Sequence, residues 1–181
     1  MMNLTNHFLV AMPSVAQDVF AGSVVYITEH SLENGAIGVI VNKPLGKTLK
    51  NVFQDVDLTE YNPNWANRQL YLGGPINAEN GFVLHRTMSA DGKLFELTNN
   101  RSVLDEIAQS QFKDNLFISI GYSAWASLQA EAEIRQNDWL VVKADAGLIF
   151  EVDPAYRYEE AMRLLGIRNI SQLYFSGDIF A

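Results

Sequence analysis

Apolar residues in this chain come mostly in short, β-branched runs bounded by turn-forming residues, not in long helical stripes. Phe8–Met12, Val24–Thr28 and Ala36–Val41 read as buried strands. Gln69–Leu72, Phe82–His85 and Leu116–Ile120 follow the same pattern. Ser89-Ala90-Asp91-Gly92 turns Phe82–His85 into Lys93–Leu97 as a hairpin with Asp-Gly at its tip. Trp139–Val142 and Leu148–Val152 read as a closing strand pair.

Helical periodicity is rarer. Leu49, Val52, Phe53 and Val56 repeat at i, i+3, i+4 and i+7, so Thr48–Val56 reads as a helix with Thr48 as N-cap. Ser102-Val103-Leu104-Asp105 is a capping-box variant opening a helix to about Gln109. Another helix runs from after Trp125 to about Gln136. Asp153-Pro154 starts a final one, with Tyr158, Ala161, Leu164 and Leu165 as its apolar stripe and Gly166 as its stop. Tyr61–Asn67 is a loop broken by Pro63. Strands outnumber helices without a β-α-β rhythm, which predicts an α+β fold. No repeat or linker interrupts residues 1–181, which read as one domain.

Composition narrows the chemistry. The chain has no cysteine, which excludes disulfides, thiolate zinc sites and a cysteine nucleophile. Phe8–Met12 is too short for a signal-peptide core, and no run nears the ~20 apolar residues of a membrane span. A cytoplasmic protein without a membrane partner is the expectation. Net charge is −8, and the only lysine cluster is Lys43, Lys47 and Lys50. That footprint argues against nucleic acid as a direct partner.

Several short patterns invite chemistry and fall short of it. Gly46-Lys47-Thr48 follows a strand, but a phosphate-binding loop needs its first glycine where Val41 stands, and Pro44 removes an amide. Gly121-Tyr122-Ser123-Ala124-Trp125 lies between a strand and a helix, where a nucleophile elbow would sit, but Trp125 takes the second glycine position. His7, His30 and His85 lack metal-ligand spacing, so no metal or cofactor is expected. Gly73-Gly74-Pro75 reads as a tight turn, with anion capture by glycine amides as the alternative.

Glu29-His30 and Asn42-Lys43 end two apolar runs. If the runs pair as neighbours, those groups line a cleft. Adjacent strand residues point to opposite faces, so Glu29 and His30 share a cleft only if the strand has ended or bulges. Trp125, Gln129 and Glu133 fall at i, i+4 and i+8, placing an aromatic and two polar groups on one helix face.

Read in order, these blocks resemble the YqgE/AlgH family of bacterial proteins. The resemblance is carried by Asn6–Pro13, Gly22–His30, Gly35–Pro44, Leu70–Pro75, Gly81–His85, Gly121-Tyr122, and Trp125 through Trp139-Leu140. It implies a curved mixed sheet closing into a barrel-like core with helices outside, and a label of transcriptional regulator borne by some relatives. It brings no biochemical activity with it. The chain departs from the family pattern at Ala124, a position often held by glycine, and at Leu128 and Ala130, where the family pattern over residues 128–131 is Gly-Gln-Leu-Glu.

The combined expectation is a small-ligand- or protein-binding protein. Its site would comprise Glu29, His30, Asn42, Lys43, Gly73, Gly74, His85, Tyr122, Trp125 and Gln129. The alternatives are an enzyme using His30 or His85 as acid-base with Glu29 assisting, and a regulator acting directly on DNA.

Overall fold

A computed structural model describes residues 3–15, 18–51, 63–87, 90, 92–100, 116–169 and 171–174. Nine strands are present among them: β1 His7–Ala11, β2 Val24–Ser31, β3 Gly35–Ile40, β4 Pro44–Thr48, β5 Gln69–Leu72, β6 Ile76–Arg86, β7 Phe95–Thr98, β8 Phe117–Trp125 and β9 Trp139–Lys143. They form one strongly curved, half-barrel sheet in the order β4-β5-β8-β3-β2-β1-β9, with β6 also on β8 and β7 on β6. The β5–β8 pair is parallel and the other pairs are antiparallel. The expected α+β fold around a curved mixed sheet is the fold observed.

The central strands are buried on both faces. Phe8, Val10, Val24, Tyr26 and Val39 join one core with Ala161 and Met162. Leu9, Ala11, Val25, Ile27 and Ile40 join the other with Trp125 and Trp139. That is why these runs are continuously apolar rather than alternating.

Strand β8 corrects the largest misreading. Gly121–Trp125 is not a strand-to-helix turn, because the strand continues through it to Trp125. Gly121, at φ 68°, bends the strand without ending it. The first half of β8 pairs with β5 and β6, and the second half pairs with β3. Ser123 is therefore a buried strand residue whose hydroxyl donates to the Gly73 carbonyl at 3.0 Å, and no nucleophile elbow exists.

The helices show smaller differences. Pro63–Ala66 forms a one-turn helix, α1, where a loop was expected; proline suits its first position. Helix α2 covers Gln129–Arg135. Residues 148–152 are not a strand: Ala146–Phe150 is helix α3, capped by Asp145, whose carboxylate accepts from the Gly147 amide at 2.9 Å. Strand β9 pairs with β1 instead. Asp153 caps a 3-10 turn, Pro154–Tyr156, that leads into α4, Arg157–Leu164. On α4 the buried stripe includes Arg157, Ala161 and Met162, while Leu164 is exposed. A short helix α5 covers Ser171–Tyr174. Thr48 does begin a helical turn, with its amide donating to the Asn51 side chain at 2.8 Å. The rest of that helix and the Ser102–Gln109 helix lie outside the described residues. Among the described residues no helix is long and apolar enough to cross a membrane.

Candidate functional site

Strands β2 and β3 pair antiparallel across a three-residue connection, 32–34. Antiparallel pairing sends the end of one run to the start of the other. Glu29 and His30 therefore lie beside residues 35–37, while Asn42 and Lys43 lie beside Val24, about 20 Å away along the strands. The two polar ends do not share a cleft.

Glu29 and His30 follow a bulge in β2, still point to opposite sides of the strand, and border one cleft. Ile27 pairs with Gly38 and Glu29 with Ile37, leaving Thr28 as the extra residue. The extra residue shifts the side-chain alternation. His30 falls on the α2 side and meets Glu131, while Glu29 falls on the side of the β6–β7 connection and meets Lys93. The cleft at this end holds about 500 Å³ and is lined by Thr5, Asn6, His7, Glu29, His30 and Lys93, among other residues.

Hydrogen bonds fix the role of each histidine here. The Leu4 amide donates to His30 Nδ1 at 3.2 Å, so that nitrogen carries a lone pair. The ring proton sits on Nε2 and donates to Glu131 Oε1 at 2.7 Å. Both nitrogens are thus committed, and the side chain is 3% exposed. His30 ties the N-terminal segment to α2 and offers nothing to a ligand. His7 differs: its Nδ1–H donates to the Thr5 carbonyl at 2.9 Å, so Nε2 is the nitrogen that bond does not use.

Asn6 builds the other wall. Burial pushes the Tyr26 phenol up to about 12, so it is a neutral donor, and it donates to Asn6 Oδ1 at 2.8 Å. That bond orients the Asn6 amide. The same Oδ1 accepts from the Leu94 amide at 2.9 Å, and Nδ2 donates to the Gly92 carbonyl at 2.8 Å. One side chain thereby grips the residues on both sides of Lys93. Lys93 Nζ reaches Glu29 Oε1 at 3.0 Å across the cleft. Sequence reasoning missed Asn6, His7 and Lys93 as site residues. The only signal was that Asn6-His7 opens the first family-like block.

The remaining expected residues fall elsewhere. Asn42 accepts from the Val24 amide and donates to the Gly22 carbonyl, both at 2.8 Å, stitching the turn before β2. Lys43 donates to the Val19 carbonyl; burial pulls its pKa below the usual lysine range, with Asp18 opposing. Gly73 donates its amide to the Ile120 carbonyl at 2.8 Å, so it is not free to capture an anion. A Cβ on Gly74 would meet the Tyr122 carbonyl at 2.3 Å, which explains that glycine by close packing. Tyr122 packs edge-on against Phe82. His85 Nδ1–H donates to the Arg86 carbonyl at 3.2 Å, and its Nε2 is buried without a partner among the described residues. It does not line the cleft.

Trp125, Gln129 and Glu133 do come together, although Trp125 belongs to β8 and not to α2. Glu133 Oε2 accepts from both indoles, Trp125 at 2.7 Å and Trp139 at 2.8 Å, and Oε1 accepts from Gln129 at 2.9 Å. A second hollow, about 410 Å³, lies over this group and Phe20. Among the described residues no three histidine or carboxylate side chains converge as metal ligands.

Leu128 precedes α2 at φ 60° and is 53% exposed. This is a left-handed position, which glycine adopts without the strain a leucine bears. Leu128→Gly is expected to raise stability by about 0.5–1 kcal/mol, since relief of a ~1–2 kcal/mol left-handed cost exceeds glycine's added unfolded freedom. A higher urea midpoint at unchanged slope checks it.

A family model described as AlgH-like matches residues 8–170. Among curated relatives, a UPF0301 protein of Albidiferax ferrireducens is 39% identical over 180 residues, covering 91% of this chain and 90% of its own. One from an Azoarcus species is 41% identical over 172 residues, covering 91% and 90%. The solution structure of the AlgH protein from Pseudomonas aeruginosa superposes with a TM-score of 0.75 at 33% identity, covering 96% of this chain and 94% of that one. A crystal structure of a Corynebacterium diphtheriae protein matches with a TM-score of 0.67 at 24% identity over 90% of this chain and 87% of that one, and shows the shared fold alone.

Proposed function

The chain belongs to the AlgH-like family, and from that premise we propose that it is a binding protein whose cleft at His7, Glu29 and Lys93 takes a small polar molecule. The observation that carries this reading is the pairing of a cleft of about 500 Å³ with a histidine ring anchored on the Thr5 carbonyl and a lysine whose chain neighbours are both held by Asn6. That volume lies within the range of small-molecule sites, roughly 300–1,000 Å³. The polar lining favours a polar guest over an apolar one. The enzyme reading loses the two histidines it relied on, because His30 has no free nitrogen and His85 stands outside the cleft.

Any regulatory role runs through this ligand or a protein partner. Net charge −8 opposes direct DNA contact, and Lys43 is already spent on a backbone carbonyl.

A thermal-shift panel of organic acids, amines, amino acids, sugars and nucleotides tests the reading. A ligand at 100 times its Kd adds about 2.7 kcal/mol. In a chain of this length that raises Tm by about 5–10 °C. His7→Ala is expected to erase the shift and leave the unliganded Tm within about 2 °C, as for a partly exposed residue outside the core. A panel with no shift, or a shift that survives His7→Ala, sinks this site.

A further inference from the structure

We infer that the free edge of β9 joins β9 of a second copy of this chain, antiparallel about a two-fold axis at Val141, so that two curved sheets become one. This goes beyond the ligand-binding reading and does not depend on it. The ends of the sheet path are β4 and β9. At the β1 side of β9, the Asp138 carbonyl accepts from the Met12 amide and the Ala144 amide donates to the Asn6 carbonyl, both at 2.9 Å. Antiparallel ladders alternate, so Leu140 and Val142 also aim their backbone groups at β1, while Trp139, Val141 and Lys143 aim theirs outward. Among the described residues, nothing pairs with those outward amides and carbonyls.

The other end is guarded. Strand β4 carries Pro44 and Lys47, turns left-handed at Gly46 with φ 68°, and breaks register between Pro44 and Thr48. Proline, lysine and irregular backbone each hinder a further strand. Strand β9 has none of these before Lys143, and Leu140, Val141 and Val142 are consecutive, apolar and half-buried. Leu140 and Val142 pack on one core and Val141 on the other, so an added strand covers apolar side chains on both faces. The partner that fits is β9 itself. Pairing about Val141 overlaps the whole strand, setting Trp139 opposite the partner's Lys143, Leu140 opposite the partner's Val142, and Val141 opposite the partner's Val141. Each outward residue then lies in a pair that exchanges both N–H···O bonds. Lys143, the one charged residue of β9, does not face its own copy, so no like charges oppose each other across the ladder. A two-fold dimer is also the commonest oligomer. A five-residue edge makes a small interface, under roughly 1,200 Å². Net charge −8 on each copy opposes contact as well. The dimer is therefore weak, with a Kd on the order of 100 μM.

The test is sedimentation velocity on the full chain from about 10 μM to about 1 mM, with amide hydrogen exchange read by NMR at about 50 μM and about 1 mM. Monomer is expected at the dilute end and mostly dimer at the other. Exchange at the amides of Trp139, Val141 and Lys143 should slow about threefold between the two NMR samples, while Leu140 and Val142 stay protected in both. Val141→Pro removes an outward N–H that β1 does not use, so the variant keeps its own ladder and loses the partner's. Its Kd should weaken about tenfold or more, with a circular dichroism spectrum like the parent's. If that variant does not fold, amide exchange in the parent decides alone. A monomer at every concentration overturns the inference. So do outward amides equally protected in both samples, which means the edge is covered within one chain. A dimer that survives Val141→Pro, or that leaves these amides unchanged, uses another surface and overturns it too.

Discussion

Gly73→Ala is expected to destabilise the native state by roughly 4–6 kcal/mol, the largest effect of any single substitution proposed for this chain. A Cβ built at Gly73 lies 2.2 Å from the Gly121 carbonyl oxygen, 2.7 Å from Ser119 Oγ and 2.8 Å from Ser119 Cβ. Two of these three are the backbone or near-backbone of β8, so no flexible side chain can swing away. The segment cannot retreat either. The Gly73 amide is held by the Ile120 carbonyl at 2.8 Å, and its own carbonyl accepts from the Ile40 amide at 2.9 Å and from Ser123 Oγ at 3.0 Å. Moving it by an ångström breaks bonds to β3 and β8 together, where the two halves of the sheet join. Overpacking alone costs about 1–3 kcal/mol. Adding the lost hydrogen bonds, at about 1 kcal/mol each, brings the total to roughly 4–6 kcal/mol. That matches the low end of a typical domain's whole stability, about 5–15 kcal/mol. Urea unfolding followed by circular dichroism reads the outcome. Gly81→Ala is the control, since nothing lies within 4 Å of its added Cβ. It should stay within about 0.5 kcal/mol of the parent. A Gly73→Ala protein as stable as that control means the junction is looser than these contacts require.

The same junction shows what a sequence displays and what it hides. Strands β1, β2 and β3 were visible because they are buried on both faces, and a strand buried twice writes itself as an unbroken apolar run. Gly121-Tyr122 looked like the end of a strand because glycine commonly ends one. Only the pairing of β8 with β3 beyond it shows a bend in a continuous strand. Leu148-Ile149-Phe150 is ambiguous, since a short apolar run fits a strand or a buried helix equally. The deciding residue is Asp145, whose carboxylate caps the Gly147 amide and starts α3.

The site was less legible than the fold, for a different reason. The separation of Glu29 from Asn42 follows from the short connection 32–34, because a tight connection makes neighbouring strands antiparallel. That step was available from sequence. The meeting of Lys93 with Glu29 was not. It depends on Asn6 gripping residues 86 and 88 positions further along the chain. Nor could sequence rank His7 above His30. Their difference lies in which backbone group each ring nitrogen meets: an amide from Leu4 in one case, a carbonyl from Thr5 in the other.

Arg157→Met is expected to cost about 3–5 kcal/mol, the second large effect. Arg157 is 4% exposed, a charge taken almost wholly out of water. Its Nε donates to the Val152 carbonyl at 2.9 Å, Nη1 to the Val41 carbonyl, and Nη2 approaches the Tyr71 hydroxyl at 3.4 Å. The guanidinium carbon also sits 5.1 Å from the Tyr71 ring centroid. Burial pulls its pKa below the usual arginine range, while Tyr71 and Asp153 oppose that pull. Replacing a buried ion pair with apolar residues can be neutral, because both charges leave together. Here the partners are backbone carbonyls, which no substitution removes. Methionine keeps much of the stem volume but strands the Val41 and Val152 oxygens, each at about 1–3 kcal/mol. Arg157→Lys should recover less than half of the loss, since one ammonium cannot span two carbonyls and a ring as the planar fork does. Equilibrium unfolding of both variants separates the possibilities. The order parent, lysine, methionine identifies the fork geometry as the clamp between α4 and the end of β3. A methionine variant as stable as the parent instead means that desolvating the guanidinium cancels its bonds, and that α4 is held by Ala161, Met162 and the Tyr158 hydroxyl, which donates to the Ala11 carbonyl at 2.6 Å.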